Sequence, residues 1–186
     1  MLTVTDLCFS YTPEHPILTG FSLTASRGER ICIRGESGRG KTTLFRLIAG
    51  LETPQKGTIT LVPGCKPAMV FQEDRLLPWM TAKGNVALVS DDATAIQLLT
   101  ALGLSDALDA KPQTLSGGMC RRAALARALA VQPDLLLLDE AFKGIDPARK
   151  AEIFHLLQTQ YRDCCILFTS HEEAEIVSFA TRVVEL

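Results

Sequence analysis

Apolar and polar residues alternate from the first positions of the chain: MLTVTDLCFSY reads as a strand that carries Asp6. Further strand-like runs are FSLTAS, RICIRG, GTITLV, PAMVF, DLLLLDE, CCILFTS and RVVEL. Several are followed by helix-like runs. KTTLFRLIAG closes on Gly50 and ATAIQLLTAL closes on Gly103. DPARKAEIFHLLQTQY offers Asp146 as N-cap and Pro147 at the first helical position, with Ile153, Leu156, Leu157 and Tyr161 on one face. The consecutive leucines of DLLLLDE suit a strand buried on both faces, as in a parallel sheet covered by helices. Strands alternating with helices predict an α/β fold. The early strands have only turns between them, which predicts an antiparallel sheet beside the parallel core. The middle of the chain, from about Asp74 to Leu129, reads as mostly helical and is expected to form its own lobe.

Composition narrows the function classes. With 186 residues, 47% of them hydrophobic, the chain suits one compact domain with room for a subdomain. A net charge of −2 gives no whole-molecule pull towards nucleic acid, and Arg121 and Arg122 read as a solvated helix face. No secretory signal is expected at the start, and the longest uncharged run, Ala93 to Ser105, is too short to span a bilayer. The expectation is a soluble protein whose membrane role, if any, comes through a partner. The six cysteines form no C-x-x-C pair, so buried free thiols in a reducing cytosol are expected.

Against that background three stretches stand out. GESGRGKT, Gly35 to Thr42, matches G-x-x-x-x-G-K-[ST] in full, between an apolar strand and an amphipathic helix. Glycines let successive backbone N–H groups face inward and cradle phosphate oxygens at the positive end of the helix dipole. Gly35, Glu36, Ser37, Gly38, Arg39, Gly40, Lys41, Thr42 and Thr43 are the expected cradle of ATP. Lys41 is expected to reach the β- and γ-phosphates and Thr42 to ligate Mg²⁺. LLLLDE then supplies Asp139 for the Mg²⁺ shell and Glu140 to polarise an attacking water. A third stretch, LSGGM, places Gly117 and Gly118 directly before MCRRAALARALAVQ. Glycine there lowers helix propensity and leaves N–H groups uncovered, so stability alone does not account for it.

Taken in order, these motifs resemble the ATP-binding subunits of ABC transporters. The early aromatic Tyr11 is followed by the phosphate loop, VFQED with Gln72, LSGGM, LLLLDE, a loop ending in Asp146, and TSHEEAE with His171. The resemblance covers nearly the whole chain. It implies a P-loop NTPase of ABC type, with a mainly parallel sheet core, an N-terminal antiparallel β-subdomain and a compact helical subdomain. The chain would be a single ATPase domain, with 1–73 and 130–186 as nucleotide-binding core and about 74–129 as helical subdomain. Two such domains would pack head to tail. Ser116, Gly117 and Gly118 would then meet the γ-phosphate of ATP held by the partner's phosphate loop. Tyr11 would stack on adenine, Gln72 would sense Mg²⁺ or the lytic water, and His171 would hydrogen-bond the γ-phosphate. Asp146 would belong to a loop crossing to the other protomer.

The resemblance also implies partners: a second copy or a homologous ATPase, integral membrane permease subunits and, indirectly, a solute-binding protein, with no nucleic acid. The expected place is the cytoplasmic face of the cell membrane. VFQEDRLLPWMTAKGNVAL looks most like importers of nitrate, sulfonates, taurine and similar small solutes. Core packing and a cleft for a permease helix both account for Leu76, Leu77 and Trp79. The chain departs from the family at Met119, where glutamine is usual, and at FKGID, where Ser-Ala-Leu-Asp is commoner. It is also short, ending at RVVEL, so no regulatory C-terminal addition is expected. Two alternatives stand beside the importer subunit: a soluble ABC-type ATPase acting on nucleic acid or ribosomes, and a degenerate module that binds ATP with little turnover.

Overall fold

A computed structural model describes all residues, 1–186. The chain divides into two compact units: Met1–Met69 with Asp134–Asp139 and Asp163–Leu186, and Val70–Pro133 with Glu140–Arg162.

The first unit holds two sheets. β1 (Leu2–Thr12), β2 (His15–Ala25) and β4 (Lys56–Leu61) form an antiparallel sheet in the order β2-β1-β4. The expected strand at FSLTAS is only the second half of β2, because the ladder with β1 runs on from Leu2↔Ala25 to Thr12↔His15. The other sheet has the order β5-β6-β7-β3-β8, with β3 (Arg30–Arg34), β5 (Pro67–Val70), β6 (Leu135–Leu138), β7 (Cys165–Phe168) and β8 (Arg182–Glu185). β6 pairs with β7, and β3 pairs with both β7 and β8, all in parallel. The α/β architecture with an antiparallel part is therefore present.

Each β6 leucine is fully buried, as expected of a strand with no solvent face. Leu135 and Leu137 join one apolar cluster with Leu2, Val4, Ile31, Ile33, Phe45 and Leu167. Burying such side chains contributes about 1.5–3 kcal/mol each. α1 (Lys41–Ile48) adds Leu44, Phe45, Leu47 and Ile48 to that cluster. α6 (Glu173–Phe179) sets Phe179 edge-on to Phe168, with ring centroids 5.2 Å apart.

The second unit is helical: α2 (Ala82–Ala87), α3 (Asp92–Ala101), α4 (Gly117–Ala130) and α5 (Pro147–Gln160), with short 3-10 turns at Ser105–Ala107 and Pro112–Thr114. α5 begins as its sequence predicts, since the Asp146 carboxylate accepts from Arg149 N at 3.0 Å and Pro147 opens the helix. Ile153, Leu156 and Leu157 are buried and Tyr161 is half-buried.

The structure departs from one expectation. Arg121 and Arg122 are not a solvated face. Arg121 donates to Asp74, Gln72 O and Glu140 O, and Arg122 donates to Leu102 O and Gly103 O, at 2.7 and 2.9 Å. Surrounding carbonyls satisfy these guanidiniums where α4 meets its neighbours, a tertiary arrangement that no local pattern encodes. Of the two accounts of the Leu76–Trp79 cluster, core packing does not hold for Trp79, which is 70% exposed, while Leu76 and Leu77 are half-buried. The cysteines are all free thiols. Burial pushes the Cys32 thiol up to about 11 and those of Cys164 and Cys165 up to about 12. Cys8, Cys65 and Cys120 are only half-buried.

Candidate functional site

Three features of the first unit lie at the carboxyl ends of its parallel strands, the usual place for ligands in open α/β sheets. β3 runs into the glycine-rich loop, β6 ends in Asp139, and β7 ends in Thr169, Ser170 and His171. The loop enters α1 through Gly40, whose φ of 99° lies in the left-handed region that favours glycine. A Cβ at Gly40 would stand 2.5 Å from Ile17 Cγ2, so β2 also packs too closely for any side chain there. No side chain caps the helix, and its first turn carries no acidic residue. The N-terminal N–H groups of α1 are thus kept clear of competing side-chain acceptors.

Lys41, the first residue of α1, is buried. Its ammonium donates to Gly35 O at 2.7 Å and Glu36 O at 2.9 Å, which holds a positive charge over the loop. Thr42 Oγ1 donates to Asp139 Oδ2 at 2.5 Å, and Thr169 Oγ1 donates to Asp139 Oδ1 at 3.0 Å. The nearly inaccessible Asp139 carboxylate is therefore gripped from both sides, by α1 and by the end of β7. Burying a carboxylate demands such partners. Thr43 is buried, whereas Ser37, Gly38 and Arg39 are exposed along the loop.

His171 is exposed and lines a cavity of about 300 Å³ together with Arg34, Gly35, Glu36 and Ser170, so it stands beside the start of the phosphate loop. The turn that carries it is fixed by Ser170. Its hydroxyl donates to buried Glu175 Oε2 at 2.5 Å and accepts from Glu172 N at 3.0 Å. Tyr11 is exposed near the end of β1, its ring edge-on to Phe9 at 4.9 Å. β1 pairs there with β2, the strand that touches Gly40.

The remaining candidates belong to the second unit. Gln72 is exposed in the loop after β5, and its carbonyl accepts from Arg121 Nη2 at 3.1 Å. Gly117 and Gly118 are the first two residues of α4, inside the helix rather than ahead of it, and Ser116 is its N-cap, accepting from Met119 N at 3.2 Å. The two glycines have different reasons. A Cβ on Gly118 would lie 2.9 Å from Gly144 O, whereas one on Gly117 would meet nothing within 4 Å. Glu140 sits at a φ of 49°, and its carboxylate pairs with Lys143 Nζ at 3.1 Å.

Sequence reasoning missed Thr169, Glu175 and Asn85. TSHEEAE carries the first two within a motif read only for its histidine. Asn85, a fully buried amide just after Lys83 and Gly84, pins the Trp79 loop: its Oδ1 accepts from Leu77 N at 2.7 Å, and its Nδ2 donates to Leu77 O and Thr81 O at 3.1 and 3.0 Å.

Thr42 and Asp139 fit a Mg²⁺ site. Both offer hard oxygen donors, and Mg²⁺ commonly takes one or two protein oxygens, with phosphates and waters completing the octahedron. No helix of the protein is long and apolar enough to cross a membrane.

Comparison with known proteins agrees with this geometry. The family model described as ABC transporter matches residues 18–143. An aliphatic sulfonates import ATP-binding protein, SsuB of Granulibacter bethesdensis, is 43% identical over 176 residues, covering 91% of this chain and 73% of that protein. The bicarbonate transport ATP-binding protein CmpC of Synechocystis is 37% identical over 203 residues, and the match takes in 97% of this chain but 30% of that longer protein. Among solved structures, a dimeric ATP-binding cassette in a post-hydrolysis state with ADP and Pi superposes with a TM-score of 0.90. It is 25% identical, and the match covers 100% of this chain and 94% of that one. With the family model matching more than half of its length, the chain belongs to the ABC transporter family.

Proposed function

We propose that this chain is the ATP-binding and ATP-hydrolysing subunit of an ABC importer for a small solute, working as a single ATPase domain. The observation that carries the reading is the Asp139 carboxylate gripped by Thr42 and Thr169, next to a lysine folded over a glycine-rich loop. Residues 35–43 hold the ATP phosphates, with Lys41 on the β- and γ-phosphates. Tyr11 stacks on adenine, and His171 hydrogen-bonds the γ-phosphate from beside Gly35. Thr42 and Asp139 would hold Mg²⁺, which would neutralise charge developing on the phosphates. Glu140 follows Asp139 in the chain and polarises the attacking water. Little covalent chemistry is required beyond this; the protein positions groups and stabilises charge.

The dimeric form of the related cassette and the open face of Gly117 support a head-to-tail dimer, in which Ser116 and Gly117 meet the partner's γ-phosphate. The relatives' names support import, with sulfonate and bicarbonate as their solutes. Trp79, exposed on a loop that Asn85 holds rigidly, supports docking of a permease at the cytoplasmic face of the membrane. Glu140→Gln is expected to leave Mg-ATP binding intact while lowering steady-state phosphate release by about 10²-fold or more, the usual worth of a general base. Unchanged turnover in the purified variant would refute the assignment.

A further inference from the structure

One side chain of α4 ties that helix to two other segments of the second unit, the loop at Gln72 and Asp74 and the turn at Glu140. Arg121 Nε donates to Asp74 Oδ1 at 3.0 Å, Nη2 donates to Gln72 O at 3.1 Å, and Nη1 donates to Glu140 O at 3.0 Å. A fourth, longer contact runs from Nη1 to Lys143 O at 3.4 Å. The side chain is 15% exposed and that of Asp74 21%, so these bonds are made largely out of water. A guanidinium is rigid and planar, and its N–H groups point in fixed directions. Displacing one of the groups it holds must therefore rotate the plane against the others or break a bond.

The Glu140 end of this fork is unusual. Glu140 is not a glycine, yet its φ is 49°, and its carbonyl accepts both Arg121 Nη1 and Lys143 N, the latter at 3.2 Å. Residues held in the left-handed region persist only where their surroundings over-determine them. Arg121 supplies part of that determination and ties it to the carbonyl of Gln72.

We propose that Arg121 is a positioning residue for Glu140: it transmits displacement of the Gln72 loop to the backbone that aims the Glu140 carboxylate. The inference rests on the proposed role of Glu140 as the group that activates water. In this proposal Arg121 acts through the Glu140 backbone and not on the reacting groups. Its contribution is geometric, and misplacing a reacting group by about 1 Å can cost on the order of 10²-fold in rate. Lysine at this position keeps the positive charge opposite Asp74 but lacks the planar fork that serves two carbonyls at once.

The test is a double-variant cycle on the purified full chain, read as kcat and KM for ATP hydrolysis well below the melting temperature, with ATP affinity measured separately. Arg121→Lys is expected to lower kcat by about 10- to 100-fold while ATP affinity stays within about 2-fold. In a Glu140→Gln background the same change is expected to cause no further loss, because the group it aims is already disabled. Multiplying losses in the double variant would overturn the proposal, as would normal kcat per folded molecule accompanied by a lowered melting temperature. Asp74→Asn, which keeps all three segments in place but weakens the ion pair, is expected to give a smaller loss of kcat in the same direction; wild-type kcat there, together with a failure of Arg121→Lys to fold, would also overturn it. Glu140→Gln alone with unchanged turnover would overturn the hydrolytic role of Glu140, a failure visible before Arg121 is altered.

Discussion

Two helices of this protein begin beside glycines, and their starts are finished differently. α1 comes after Gly40 with no side-chain cap, carries Lys41 as its first residue, and ties Thr42 to Asp139. α4 comes after Ser116, whose hydroxyl already accepts from Met119 N; Gly118 is pressed against Gly144 O, and of the two glycines only Gly117 faces open space. Both starts offer backbone N–H groups and the positive end of a helix dipole. The first adds a buried ammonium and a buried carboxylate held by Thr42 and Thr169, the set that the proposed function assigns to the nucleotide phosphates within one unit. The second has no cation in its first turn, and under the proposed function it would supplement an anion held elsewhere. Glycine at a helix start is therefore not one signal. The side chains beside the glycines set the two starts apart.

The first of these starts is most vulnerable at Gly40. Gly40→Ala combines a left-handed backbone with a Cβ 2.5 Å from Ile17 Cγ2. It is expected to lower stability by about 2–4 kcal/mol and to abolish ATP binding in a titration. If calorimetry gives wild-type stability, the tight start of α1 is not what holds the loop.

The glycine pair at α4 probes the second start. Gly118→Ala meets backbone at Gly144 O and is expected to cost about 1–3 kcal/mol by urea unfolding. Gly117→Ala meets nothing, so the better helix propensity of alanine is expected to raise stability by about 0.5–1 kcal/mol. Because the new methyl covers the open face, turnover should fall in the same variant. Stabilisation with full turnover would show that the open N–H face has no ligand.

The smallest effect is expected at Trp79, which is 70% exposed. Trp79→Ala should change the stability of the isolated subunit by no more than about 0.5 kcal/mol and leave its ATP affinity alone, while weakening association with permease subunits in pull-down. A large drop in melting temperature would return Trp79 to a packing role.

Much of this molecule is local and so is legible in its residues. GESGRGKT between a strand and a helix, four leucines before Asp139, and Asp146-Pro147 at a helix start each state their own conformation, because glycine φ, strand burial and capping act over a few residues. The order of the motifs carries the family in the same way. Contacts that residues far apart in the chain make together cannot be read from a window. The Asp139 carboxylate finds Thr42 and Thr169 only because the sheet order β6-β7-β3 brings three strand ends together. Arg121 reads as a surface charge until Gln72, Asp74 and Glu140, 19 to 49 positions away, turn their acceptors towards it. Trp79 reads equally well as core or surface until Asn85 folds its loop outward. Local pattern states what a segment prefers; which polar groups meet at long range is settled only when packing fixes where each segment ends.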